Sequence, residues 1–157
     1  TGVASHAAGA PELGRSALDA VELMNIGVQF LREHIPDTAR IHYSITDAGG
    51  DSPNVVQPRA QVLYMVRSVW ARDAMALQER VDRVAQAAAM MTDTVMEKRF
   101  VDGCSNTVPN KVLESLLWEN FDQMDLPAYT KEELKLAQDL YDSVEMKSSD
   151  LPGDAGK

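Results

Sequence analysis

The sequence predicts an α+β fold of the ferredoxin-like type, in the order β-α-β-β-α-β with a truncated first strand, followed by two further helices. Three observations carry that expectation. Apolar residues recur at helical spacing in two long stretches, one before and one after a central pair of alternating segments. The pair, residues 40–46 and 60–67, flanks a Gly49-Gly50 turn. A third alternating segment follows the second helical stretch, which completes the split βαβ order with both helices on one sheet face.

Residues 1–5 read as the tail of a strand, and His6-Ala7-Ala8-Gly9-Ala10-Pro11 as a small-residue turn. Ser16 suits the N-cap of the first helix, with Asp19 three residues on as a weak capping-box echo. Ala17, Val21, Met24, Val28 and Leu31 make its buried stripe, widened by Ala20, Leu23, Gly27 and Phe30. Pro36 ends it. In residues 40–46, Ile41, Tyr43 and Ile45 share one face, opposite His42, Ser44 and Thr46. The second helix, roughly 72–91, buries Leu77, Val81, Val84, Ala88 and Met91, and residues 92–101 supply the last strand. After Gly103 the character turns helical. Pro109 marks one helix start, and Thr130 with Glu133 forms a capping box for the last helix. Gly, Pro, Ser and Asp dominate from residue 148, so residues 148–157 are expected to be a disordered tail.

With 157 residues the chain can bury a sizeable core. A net charge of −9 argues against nucleic acid and against an anionic membrane surface as partners, because both need a basic face. No apolar run is long enough to span a membrane. Thr1 opens on nothing like a signal peptide, and the lone Cys104 fits a reducing, cytoplasmic setting. The start without Met, on strand-like residues, reads as a piece of a longer chain. Cys104 lacks a Cys or His at metal spacing and is expected to be a buried or half-buried thiol. The eight Met residues mostly fall on helix stripes and read as core.

The candidate binding residues lie at the ends of one segment. Asn54 follows the Gly-Gly turn and Arg67 ends the strand after it, and a tight antiparallel arrangement aims both toward one cleft. An amide paired with a planar guanidinium suits capture of a carboxylate, since Arg offers two parallel donors to the two oxygens. The plainer alternative is a surface loop and a strand with a solvated terminal Arg. His6 taken alone is a turn histidine, and His34 a helix-end cation. His42, on the less apolar strand face, is a candidate cleft residue.

His6-Ala7-Ala8-x-x-Pro11-x-x-Gly14-Arg15-Ser16-Ala17-Leu18-Asp19-Ala20-Val21 resembles the lid signature of the zinc-dependent amidohydrolase and metallopeptidase superfamily of aminoacylases and glutamate carboxypeptidases. The run from Arg40 through Gly49-Gly50 and Pro53-Asn54-Val55-Val56-Gln57 is similar to its p-aminobenzoyl-glutamate hydrolase branch, of the B-type subunit in particular. So is Phe100-x-x-Gly103-Cys104-Ser105-x-x-x-Pro109-Asn110. The resemblance implies a lid and dimerisation domain over 1–102 and a helical re-entry into a catalytic domain over 103–147. It further implies a homodimer through the lid and two zinc ions in the catalytic domain, none held by this chain. Its substrate would be a small carboxylate such as p-aminobenzoyl-glutamate or a related N-acyl amino acid or dipeptide, cleaved at the amide bond. On this resemblance His6 stabilises the oxyanion as the catalytic residue of the lid, and Asn54 and Arg67 bind the substrate carboxylate. The family's His-x-Asp zinc motif is absent, and Glu132-Glu133 falls in a helix first turn as cap and dipole partner. The chain alone is therefore expected to be inactive. The rival expectation is a non-catalytic ferredoxin-like module for dimerisation or small-ligand binding.

Overall fold

The computed structural model describes residues 1–125 and 127–144, so the expected tail at 148–157 lies outside the described residues. The chain forms two units, Thr1–Thr107 and a helical one from Val108 on. In the first, a 3-10 turn (Pro11–Leu13) leads to α1 (Ala17–Arg32), then β1 (Arg40–Asp47), β2 (Gln61–Arg67) and α2 (Ala71–Met91). The second holds α3 (Lys111–Asp122) and α4 (Lys131–Ser143).

Helix α1 starts where its cap dictates. The Ser16 side chain accepts the Asp19 N–H at 3.1 Å, satisfying a donor that no earlier turn can bond. Its buried residues are Ala17, Val21, Asn25 and Val28. The core gathers Val28, Ala39, Ile41, Leu77 and Val81, with Met24, Leu31, Tyr64, Val66 and Val84 packed around it. Full burial of a side chain such as Val28 or Val81 contributes about 1.5–3 kcal/mol. Gly27 lets α1 and α2 approach closely, since a Cβ there would stand 2.7 Å from the Val84 methyl. The buried Asn25 accepts the Tyr64 hydroxyl at 2.6 Å, so the polar pair inside the layer is satisfied. Burial, and then the neighbouring Tyr43, push that hydroxyl well above the usual tyrosine range.

β1 and β2 form an antiparallel ribbon, with Arg40 opposite Arg67, His42 opposite Met65 and Tyr43 opposite Tyr64. Ile41, Tyr64 and Val66 turn toward the helices, as alternation requires. Arg40, His42, Ser44, Leu63, Met65 and Arg67 lie exposed on the other face.

Several expectations need correction. Residues 92–101 form no strand. Thr1 and Val95 bond each other through backbone groups, but among the described residues no ladder joins 96–101 to a neighbour, and without one a strand leaves its backbone to solvent. The opening segment is extended but among the described residues makes only single bridges, Val3 to Arg15 and His6 to Val55. Pro58, which has no N–H, limits any longer ladder along it. The Met residues are mostly surface residues: Met65, Met75, Met90, Met91 and Met124 are all more than half exposed. On α2 the inward positions go instead to Leu77, Val81, Ala85, Ala88 and Ala89. Cys104 is exposed, because among the described residues its segment packs under no other element. Asn110, not Pro109, heads α3, and its side chain accepts the Val112 and Leu113 N–H groups. In α4 the Thr130–Glu133 capping box forms as read.

Candidate functional site

The opening segment is held on both edges. Gly2 N–H donates to the Pro58 carbonyl, Val56 N–H to Ser5 and Ala7 N–H to Asn54, while Val3 and Arg15 exchange a pair of bonds on the other side. His6 and the Asn54 loop are thereby brought together, the His6–Val55 bridge lying between them. Both side chains are exposed. The His6 Nδ1 accepts the Gly9 N–H at 2.9 Å and the Ala8 N–H at 3.2 Å.

The Asn54 loop is locked at its base. One Asp47 carboxylate oxygen accepts the Gly49 N–H at 2.8 Å, and the other meets the Arg59 guanidinium at 2.5 Å. The Gly49 N–H, and then Arg59, hold the Asp47 carboxyl below the usual carboxylate range. Gly49 has φ of 88°, a left-handed conformation, and a Cβ on it would lie 2.4 Å from the Arg59 carbonyl oxygen. The far end of the loop is tied to α1: the Ala17 N–H donates to the Gln57 carbonyl at 2.8 Å and the Ser16 hydroxyl meets Gln57 Oε1 at 3.3 Å. Gly14 allows the same contact, since a Cβ there would meet the Val56 methyls at 2.8–2.9 Å. Asp47, Gln57, Arg59 and Gly9 all shape the site, and sequence reasoning did not single them out. Only the Gly-Gly pair signalled that a demanding turn was present.

Arg67 is not brought to Asn54 within one chain. It ends β2 at the edge opposite the loop, about 20 Å from the loop end at the strand rise of ~3.3 Å per residue. The single-cleft expectation overlooked that β2 runs straight away from the turn. Arg67 and Arg40 face each other across the ribbon, and Arg40 is occupied by the Asp37 and Ala39 carbonyls. Among the described residues no ion pair or hydrogen bond engages the Arg67 guanidinium, leaving it free for an anion. His42 shares its exposed face.

Among the described residues no three His, Cys, Asp or Glu side chains converge as a metal-binding group. No helix of the described residues is long and apolar enough to cross a membrane.

The profile of the peptidase dimerisation domain matches residues 1–92, more than half of the chain. The chain belongs to the peptidase dimerisation domain family. This dimerisation domain and the residues after it are 47% identical over 139 residues to the B-type subunit of p-aminobenzoyl-glutamate hydrolase of Escherichia coli (strain K12), covering 88% of the chain and 29% of that protein. Identity to Xaa-Arg dipeptidase of Mus musculus is 33% over 120 residues, 76% of the chain and 28% of the relative. The chain thus spans under a third of the length of these curated relatives. A crystal structure of an aminobenzoyl-glutamate utilization protein from Klebsiella pneumoniae superposes with a TM-score of 0.62 at 25% identity, over 88% of this chain and 38% of that one. The α+β class read from periodicity and the dimerisation domain implied by the resemblance therefore stand, with two ladder strands in place of four among the described residues.

Proposed function

We propose that this chain is the lid and dimerisation region of a longer zinc-dependent amidohydrolase, cleaving an amide bond beside a carboxylate. The favoured substrate is p-aminobenzoyl-glutamate or a related N-acyl amino acid or dipeptide. The observation that carries the reading is the fixed pairing of an exposed His6 with the Asn54 loop, at one end of a ribbon whose other end presents a free guanidinium on Arg67. Glutamate and a dipeptide, named in the relatives, both end in a carboxylate, which suits that guanidinium.

In this reading His6 donates a hydrogen bond to the oxygen on which charge develops, and Asn54 with Arg67 binds the carboxylate. Two zinc ions held by a catalytic domain beyond the lid are its cofactor, and none of this chain's residues is assigned to them. Residues 1–102 are the lid and dimerisation domain, and residues 103–147 the helical return toward the catalytic domain. The setting is cytoplasmic, consistent with the free Cys104 thiol.

In this reading a homodimer closes the separation between Arg67 and the Asn54 loop. Among the described residues β1 carries a free edge, since β2 bonds only its other side. Two-fold antiparallel pairing of β1 with its mate sets the Arg40–Arg67 end of one ribbon beside the loop end of the other. Each site then takes His6 and Asn54 from one protomer and Arg67 from its partner.

The reading is tested by steady-state hydrolysis of p-aminobenzoyl-glutamate by the longer protein. Loss of one oxyanion donor costs about 100-fold or more in kcat, so His6→Ala is expected to lower kcat by that order with KM little changed. An unaltered kcat removes His6 from the mechanism. Ligand binding without turnover by the wild-type longer protein points to the non-catalytic module instead.

A further inference from the structure

We infer that the backbone N–H groups of Gly9 and Ala8 fix His6 as its Nε2–H tautomer, which makes the imidazole a dedicated donor to a carbonyl, carboxylate or oxyanion oxygen. The tautomer follows from geometry. A neutral imidazole has one N–H and one bare nitrogen, and only the bare one can accept. At His6 the Nδ1 accepts two N–H groups, at 2.9 and 3.2 Å, so the ring proton resides on Nε2. The role of that proton toward a substrate oxygen rests on the function proposed above.

The donors are not free to drift. The Ala10 N–H closes the turn onto the His6 carbonyl at 3.1 Å, Ser5 Oγ bonds the Ala10 carbonyl, and Ala7 N–H anchors the turn to Asn54. Gly9 stands close to the ring: a Cβ there would lie 3.3 Å from Nδ1, tighter than side chains ordinarily pack. Gly9 and Ala8 are therefore positioning residues, acting through His6.

Two chemistries are thereby disfavoured at this side chain. A histidine that ligates a metal through Nε2 carries its remaining proton on Nδ1, which here would point at two N–H donors. A general base must accept a proton on the nitrogen that faces its substrate, and Nε2 already carries one. What remains is hydrogen-bond donation, so the ligand class is an oxygen acceptor bearing negative charge or acquiring it.

The test is nitrogen-15 NMR of the chain labelled at histidine and glycine, at alkaline pH where imidazoles are neutral. The expected result is a bare-nitrogen signal for Nδ1, a protonated one for Nε2, and a through-hydrogen-bond coupling from the Gly9 amide to Nδ1. In Gly9→Pro, which lacks that N–H, the His6 signals are expected to move toward the averaged values of the exposed His34. A proton on Nδ1 in the wild-type chain, or averaged His34-like signals with no Gly9 coupling, overturns the assignment whether or not the variant folds. The functional reading fails separately: a fixed tautomer with undiminished kcat in His6→Ala leaves the tautomer standing and removes its catalytic use.

Discussion

Arg67 and Arg40 are neighbours across the ribbon, yet only one of them is spoken for. Backbone carbonyls hold Arg40 in place, whereas the Arg67 guanidinium meets no partner among the described residues. A charge-assisted contact to a carboxylate contributes about 1.5–3 kcal/mol, so Arg67→Ala in the longer enzyme is expected to raise KM roughly 10- to 100-fold for carboxylate substrates. An analogue with that carboxylate amidated should show no such change, and equal losses on both substrates sink the role. Asp47 carries a prediction of a different kind. Its folded-state carboxyl titrates below its unfolded value, so its contribution to stability is complete above about pH 4 and is lost as pH falls through the folded value. Asp47→Asn is expected to flatten the acid limb of the pH–stability curve measured by denaturation, and an unchanged limb would show that the Gly49 and Arg59 bonds do not form in solution. His6, Asn54 and Arg67 were legible as candidates because their types and motif match a chemistry. Asp47, Arg59 and Gln57 were not, because bonds across a loop depend on which residues the turn brings face to face.

At the scale of elements, the turn after β1 is the demanding one. Gly49 is both left-handed and pressed against the Arg59 carbonyl, while Gly50 has a positive φ of 119° with nothing within 4 Å of a Cβ. Gly49→Ala is therefore expected to destabilise the chain by well over ~1 kcal/mol, and Gly50→Ala by less. Denaturation midpoints compared at constant slope decide the order, and equal losses would contradict the close approach. Both long helices and the ribbon were readable from periodicity, because burial on one face imposes it. The Ser16 cap was readable because it is local. The strands expected at residues 1–5 and 92–101 did not form as ladders among the described residues, since strand character there is decided by a partner rather than by the segment. The outward side of α2 escaped for a related reason: its Met residues match a helical stripe, yet the buried positions toward its C-terminus go to Ala85, Ala88 and Ala89.

For the whole molecule, the separation of Arg67 from the loop makes a prediction about pairs of chains. In mixed dimers of the longer enzyme, His6→Ala and Arg67→Ala sit on different protomers. In the proposed arrangement, one of the two sites then inherits both defects and the other inherits neither. An equal mixture with random pairing should recover about a quarter of wild-type activity, since roughly half the dimers are mixed and each has one intact site. No recovery over the parent variants would mean that one protomer supplies His6 and Arg67 to the same site. The stitching of the opening segment, the head of α1 and the 48–58 loop has a further consequence. Gln57, Gly14 and the Asn54–Ala7 bond make these three stretches one inheritable block. Grafting a relative's Asn54 loop alone into this chain would break contacts at its base and its head. Exchange of substrate preference between members should succeed only when residues 1–17 and 47–59 travel together.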